Sequence, residues 1–167
     1  MDNLDENITR ATSTSFLIEF ARTWCKKRDL SFKLASALIY ANLAELFADD
    51  LIECIHYEDN SKFSKSRTNT NMQSSINELK KLEFPSKTLI LGKLNNIKQN
   101  RDDLFHGLIR VLHKENYSVD GIVLKIKTNT ELFMKECINI QPKFPNYNKF
   151  LKLAHEVADE RKNNFDF

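Results

Sequence analysis

Apolar residues recur at helical spacing along most of the chain, and few positions interrupt them. From about Ser13 to Arg28, Phe16, Leu17, Phe20, Ala21 and Trp24 fall three or four apart, the step that gathers side chains on one helix face. Rings at such spacing are assigned to the core by default. Ser31 then stands where a cap would. The run Phe32 to His56 places Leu34, Ala35, Leu38, Ile39, Ala41, Leu46, Phe47 and Leu51 on one broad face, with no Gly or Pro, which predicts a long helix. Glu45, Asp49, Asp50 and Glu53 along it read as a solvated face, the alternative being a functional role.

The periodicity stops at Glu58. The segment to Ser75, EDNSKFSKSRTNTNMQSS, has almost no apolar residues and predicts a long exposed loop. Lys62, Lys65 and Arg67, with the more distant Lys80, are candidate phosphate contacts there; the plainer reading is a solvated linker. A short helix is expected over Ile76 to Leu82, ended by Pro85, with Ser86 capping the next. Leu89, Ile90, Leu91, Leu94 and Ile97 form one apolar stripe, and Leu104, Phe105, Leu108, Ile109 and Leu112 resume it after an Asn- and Gln-rich interruption. Val119 to Ile138 fits a helix, although its Val- and Ile-rich first half also suits a strand. Beyond Pro142 and Pro145, Tyr147, Phe150, Leu151, Ala154, Val157 and Ala158 line a last helix, and 162–167 reads as a tail. The expected fold is an all-α bundle of five or six helices in a single domain.

Composition narrows the function more than the fold. The chain has 167 residues with 3 Gly and 3 Pro, too few for collagen, a Gly-rich phosphate loop or a turn-dense barrel. No apolar run approaches about 18 residues, so no membrane span is expected. The net charge of +2 permits a nucleic-acid partner without announcing one. Cys25, Cys54 and Cys137 form no CxxC pair, which suits a reducing compartment. The acidic start, Met1-Asp-Asn-Leu-Asp-Glu, is unlike a signal peptide, and the cytosol is the expected location.

The candidate chemistry lies in Asn100-Arg101-Asp102-Asp103-Leu104-Phe105-His106-Gly107. On a helical wheel Arg101 falls in the middle of the apolar arc formed by Leu94, Ile97, Leu104, Phe105, Leu108 and Leu112. A guanidinium pointing inward has to be paired or face a partner. Asn100 is a good cap and Asp103 stands three residues on, so a new helix is expected to start here. With a break or kink, Arg101 and His106 could approach one anion; on an unbroken helix they diverge by about 140°. Asp102 and His106 stand four apart, a spacing at which a carboxylate can orient an imidazole. A fixed cation and an oriented imidazole suffice for metal-free cleavage of a phosphodiester.

The string Arg101-Asp102-Asp103-Leu104-Phe105-His106 resembles the HEPN superfamily motif, an Arg, a polar residue, a short gap and a His. Asn is the commoner residue after the Arg, so Asp102 departs within the tolerated set. Leu108 stands where one subclass carries a modifiable Tyr. The resemblance implies an all-α homodimer with one composite cleft. It implies a metal-independent endoribonuclease that leaves a 2′,3′-cyclic phosphate, often a toxin or phage-defence effector with an antitoxin or defence-system partner. The expected catalytic residues are Arg101, His106 and Asp102. Lys62, Lys65, Arg67 and Arg110 are expected to contact the RNA, and no cofactor, metal or membrane is expected. The rival reading is a non-catalytic helical adaptor that binds a protein through the same dimer face. For Arg101 and His106 themselves the plainer reading is a structural ion pair at a helix start, with Arg101 bonded to a carboxylate and His106 satisfied on the surface. A metal set of His106, His113 and Asp102 is disfavoured by the loose spacing and by Arg110 between them.

Overall fold

In a computed structural model, the backbone is described for residues 3–60, 71–111 and 118–163, and side chains for 14–58, 71–107, 118–154 and 156. Among these residues six α-helices follow one another: α1 (Asn3–Trp24), α2 (Leu30–Asn60), α3 (Met72–Lys81), α4 (Lys87–Val111), α5 (Val119–Ile140) and α6 (Tyr147–Asn163), with a 3₁₀ turn at Gln141–Lys143. No strand occurs among the described residues, so Val119–Ile138 is helical throughout.

The helix α2 is the axis of the bundle. Ala37, Ala41, Ala44 and Ala48 are buried along it, and such small side chains let neighbouring helices approach closely. Tyr40, Leu43, Leu51 and Ile52 fill the space between, and Ile76 and Leu79 of α3, Ile90, Leu94, Ile97 and Leu104 of α4, and Ile126 and Phe133 of α5 close over them. Over Leu30–Glu58, α2 is the one described helix long and apolar enough to be a candidate membrane span. A core helix meets the same test, and here α1, α3, α4 and α5 all pack on it.

Several expectations need correction. The cap of α2 is Asp29, whose carboxylate accepts hydrogen bonds from the Ser31 N–H at 2.7 Å and from the Ser31 hydroxyl; Ser31 is a donor within the first turn. The exposed loop is shorter than Glu58–Ser75. Glu58–Asn60 continue α2, and Met72–Ser75 open α3, with Met72 and Ser75 buried. Asn71 caps α3 in a box with Ser74, each side chain accepting from the other's backbone N–H. Among the described side chains of α1, Ala21 is buried, while Phe16, Leu17 and Phe20 are exposed, so this aromatic face lies outside the core.

Polar contacts tie the outer helices to α2. Ser36 donates to the Ala21 carbonyl at 2.7 Å, joining α1 to α2. Arg22 and Tyr40 both donate to Glu131 Oε1, at 2.9 and 3.2 Å, so α1 and α2 share one carboxylate on α5. Lys33 pairs with Asp120. The helix α6 rests on a small second cluster, where Phe150 meets Cys54 and Tyr57, and Glu58 accepts the Asn146 N–H at 3.0 Å.

Candidate functional site

The helix α4 carries the Arg-Asp-x3-His string, and it does not break there. Ser86 stands just before it with φ 59°, and its carbonyl accepts the Ile90 N–H at 3.0 Å, so Ser86 does begin the helix. Asn100 is not a cap. Its amide donates to the Asn96 carbonyl at 2.6 Å, one turn back, while the backbone stays helical from Lys87 to Val111. Arg101 and His106 are therefore separated by about 140° around the axis and about 7.5 Å along it.

Arg101 lies between buried Ile97 and Leu104, on the core side as its place in the apolar arc predicts. Its partner comes from α2. Arg101 Nη1 donates to Glu45 Oε1 at 2.9 Å, with only 25% and 23% of the two side chains exposed. The same Glu45 oxygen accepts the Met72 N–H at 3.1 Å, so one carboxylate joins the guanidinium to the first turn of α3. One turn along α2, Asp49 accepts the Ser75 hydroxyl at 2.9 Å. Glu45 and Asp49 thus bind α2 to α3 and α4, and they do not form the solvated face that their spacing suggests.

Asp102 faces Arg101 and Lys98. Its Oδ1 accepts from Arg101 Nε and Nη2 at 3.3 and 3.2 Å, and its Oδ2 accepts from Lys98 at 2.7 Å. Burial alone would raise this carboxyl; the bonds from Lys98 and Arg101 outweigh it and hold it below the usual carboxylate range. The expected Asp102–His106 hydrogen bond is absent: both carboxylate oxygens are turned to the cations, and His106 is exposed. The arrangement is a row of alternating charge, Glu45, Arg101, Asp102 and Lys98, with an accessible imidazole one and a half turns further on.

Of the other expected site residues, Lys62, Lys65 and Arg67 lie outside the described residues. Arg110 is part of α4, and its side chain is outside those described, as is His113. Lys80 is exposed on α3. Sequence reasoning missed Glu45 as the partner of Arg101. The signal was its register: Glu45 continues the row Ala37, Ala41 at steps of four, where a carboxylate among small buried residues has to meet a donor.

Comparison of the chain with family models, curated proteins and solved structures finds no match.

Proposed function

We propose that the chain is a HEPN-like, metal-independent endoribonuclease in which Arg101 and His106 from two copies share one cleft. The observation that carries this reading is an anchored guanidinium and an exposed imidazole on one unbroken helix, turned about 140° apart. One copy cannot aim both groups at a single phosphorus. A second copy, docked so that its α4 lies alongside, supplies the missing partner.

In this mechanism one imidazole takes the proton of the RNA 2′-hydroxyl. The 2′-oxygen attacks phosphorus, the bond to the 5′-oxygen breaks, and the imidazolium so formed gives its proton, directly or through a solvent water, to that leaving oxygen. The products are a 2′,3′-cyclic phosphate and a 5′-hydroxyl. Arg101 stabilises the extra negative charge on the phosphorane. Glu45, at 2.9 Å, keeps the guanidinium in register, while Asp102 holds it by two longer bonds, at 3.3 and 3.2 Å, and is itself held by Lys98. An incoming phosphate oxygen therefore replaces Asp102 on Arg101 and leaves the Glu45 bond in place. Asp102 acts as a gate on the cation, in place of the His-orienting role its spacing suggests. In this reading the protein works in the cytoplasm as a toxin or phage-defence effector with a cognate partner.

The neutralised row of charges favours one other reading, a non-catalytic adaptor in which Arg101 is purely structural. Purified wild-type protein and His106→Ala, incubated with RNA in EDTA, separate the two. The nuclease reading expects cyclic-phosphate ends from the wild type and none from the variant. A folded wild type that cuts no RNA removes the nuclease and leaves the adaptor reading, and equal cutting by both removes His106 from the mechanism.

A further inference from the structure

The exposed face of α1 is aromatic where a helix surface is ordinarily polar. Phe16 is 63% exposed and Phe20 36%. The rings of Phe16, Phe20 and Trp24 succeed one another with centroids 5.4 and 4.0 Å apart, and Phe32, at the start of α2, abuts Trp24 at 5.3 Å. Residues four apart on a helix drift only about 40° around it and rise about 6 Å per step, so the three α1 rings form a nearly straight row.

The row runs into a cluster of like charge. Lys26, Lys27 and Arg28 are exposed immediately after α1. No ion pair joins them to a carboxylate among the described residues, whereas Arg22, on the preceding turn, is paired with Glu19 and Glu131. Their acidic neighbour Asp29 is occupied in capping α2. Surface rings, Phe16 and Phe20 exposed and Trp24 half-buried at the end of the row, followed by cations without counter-charges, match an unstacked polyanion. Each base has a face to lay on a ring, and each phosphate has a charge to place on an ammonium or guanidinium.

We infer that the Phe16–Phe20–Trp24 row and the Lys26–Lys27–Arg28 cluster bind single-stranded RNA, bases on the rings and phosphates on the cations. The choice of RNA rests on the nuclease reading above; the stacking and charge argument does not. Phe32 and Glu45 belong to the same helix, thirteen residues or about 20 Å apart along its axis.

The test uses the full chain and a fluorescein-labelled 2′-O-methyl oligouridylate, which 2′-hydroxyl attack cannot cut, with binding read by fluorescence anisotropy. Phe16→Ser is expected to weaken binding about tenfold. The double variant Lys26→Ala/Lys27→Ala is expected to weaken it and to flatten its salt dependence. Lys152→Ala, at an exposed cation on α6, is expected to bind like wild type. Circular dichroism checks the fold, and the lysine variant, which touches no buried group, tests the charge half of the proposal even if the ring variant unfolds. Binding unaffected by either substitution overturns the proposal. So does a dimer that Phe16→Ser converts to monomer without loss of RNA binding, which would make this face a contact between copies. Binding that depends on these residues in a protein that cuts no RNA sinks the nuclease and leaves the face. Cutting and binding that both ignore these residues sinks the face and leaves the nuclease.

Discussion

Two regions of this chain break the rule of apolar inside and charged outside, and they break it in opposite directions. At the junction of α2, α3 and α4 a guanidinium sits among core residues, between Ile97 and Leu104. On α1, phenyl rings stand in solvent. The inner departure is balanced within the molecule, because Glu45 and Asp102 meet Arg101 and the Met72 N–H shares the Glu45 oxygen. The outer departure has no such internal answer. A buried charge has to be compensated in the fold itself, since leaving it unpaired costs a large share of a domain's stability. An exposed ring costs the fold little and is free to serve a partner.

The comparison is broken most directly by removing the inner cation. Arg101→Ala leaves the partly buried Glu45 carboxylate facing only a backbone N–H. It is expected to cost about 2 kcal/mol in urea unfolding, below the range for fully buried pairs because a quarter of the side chain is exposed. The double variant Arg101→Ala/Glu45→Ala is expected to cost less than the sum of the single ones. Strict additivity would mean that the pair contributes nothing, and the contrast with α1 would disappear.

A smaller effect tests whether inner polar groups are always satisfied. Thr130 on α5 is fully buried, and its hydroxyl has no hydrogen-bond partner. Thr130→Val keeps the shape and removes the stranded oxygen, so a gain of about 1 kcal/mol is expected in thermal or urea unfolding. A loss would mean that the hydroxyl finds a partner in solution. A gain of similar size is expected of Gly92→Ala. Position 92 is exposed in mid-helix, and an added Cβ meets nothing within 4 Å, so the change acts only by restricting the unfolded chain.

Acid titration reaches the charge row itself. The Asp102 carboxyl is held below its unfolded value by Lys98 and Arg101, so its contribution to stability is complete above the ordinary carboxylate pKa. That contribution is lost as pH falls through the lower, folded value. Asp102→Asn should therefore flatten the acid limb of the stability curve and leave the neutral region nearly level. The smallest effect is expected outside: Phe16→Ser should change the unfolding free energy by less than about 0.5 kcal/mol. A large loss there would show that the ring belongs to the core after all.

Much of the helical architecture was legible because an apolar stripe needs no knowledge of its partner. The inward place of Arg101 was legible for the same reason. The identity of its counter-ion was not, since a wheel drawn for α4 says nothing about which residue of α2 lies opposite. The break expected at Asn100 was misjudged from propensity. Several Asn and Gln residues each weaken a helix by a fraction of a kcal/mol, and burial of Ile97 and Leu104 on the same helix offsets that. The early start of α3 was misread because Met72 and Ser75 are embedded in a polar run, where only two buried positions mark the helix. The rings of α1 were assigned inward because aromatic residues usually are; helical spacing defines a face but not what covers it.

The central claim is that the imidazole and the guanidinium of one cleft come from different copies. The direct measurement mixes two inactive proteins, Arg101→Ala and His106→Ala, refolds them together, and follows RNA cleavage in EDTA. Recovery of cutting in the mixture, with each variant silent alone, is the predicted result. A mixture that stays silent while both variants are folded and paired would contradict the account.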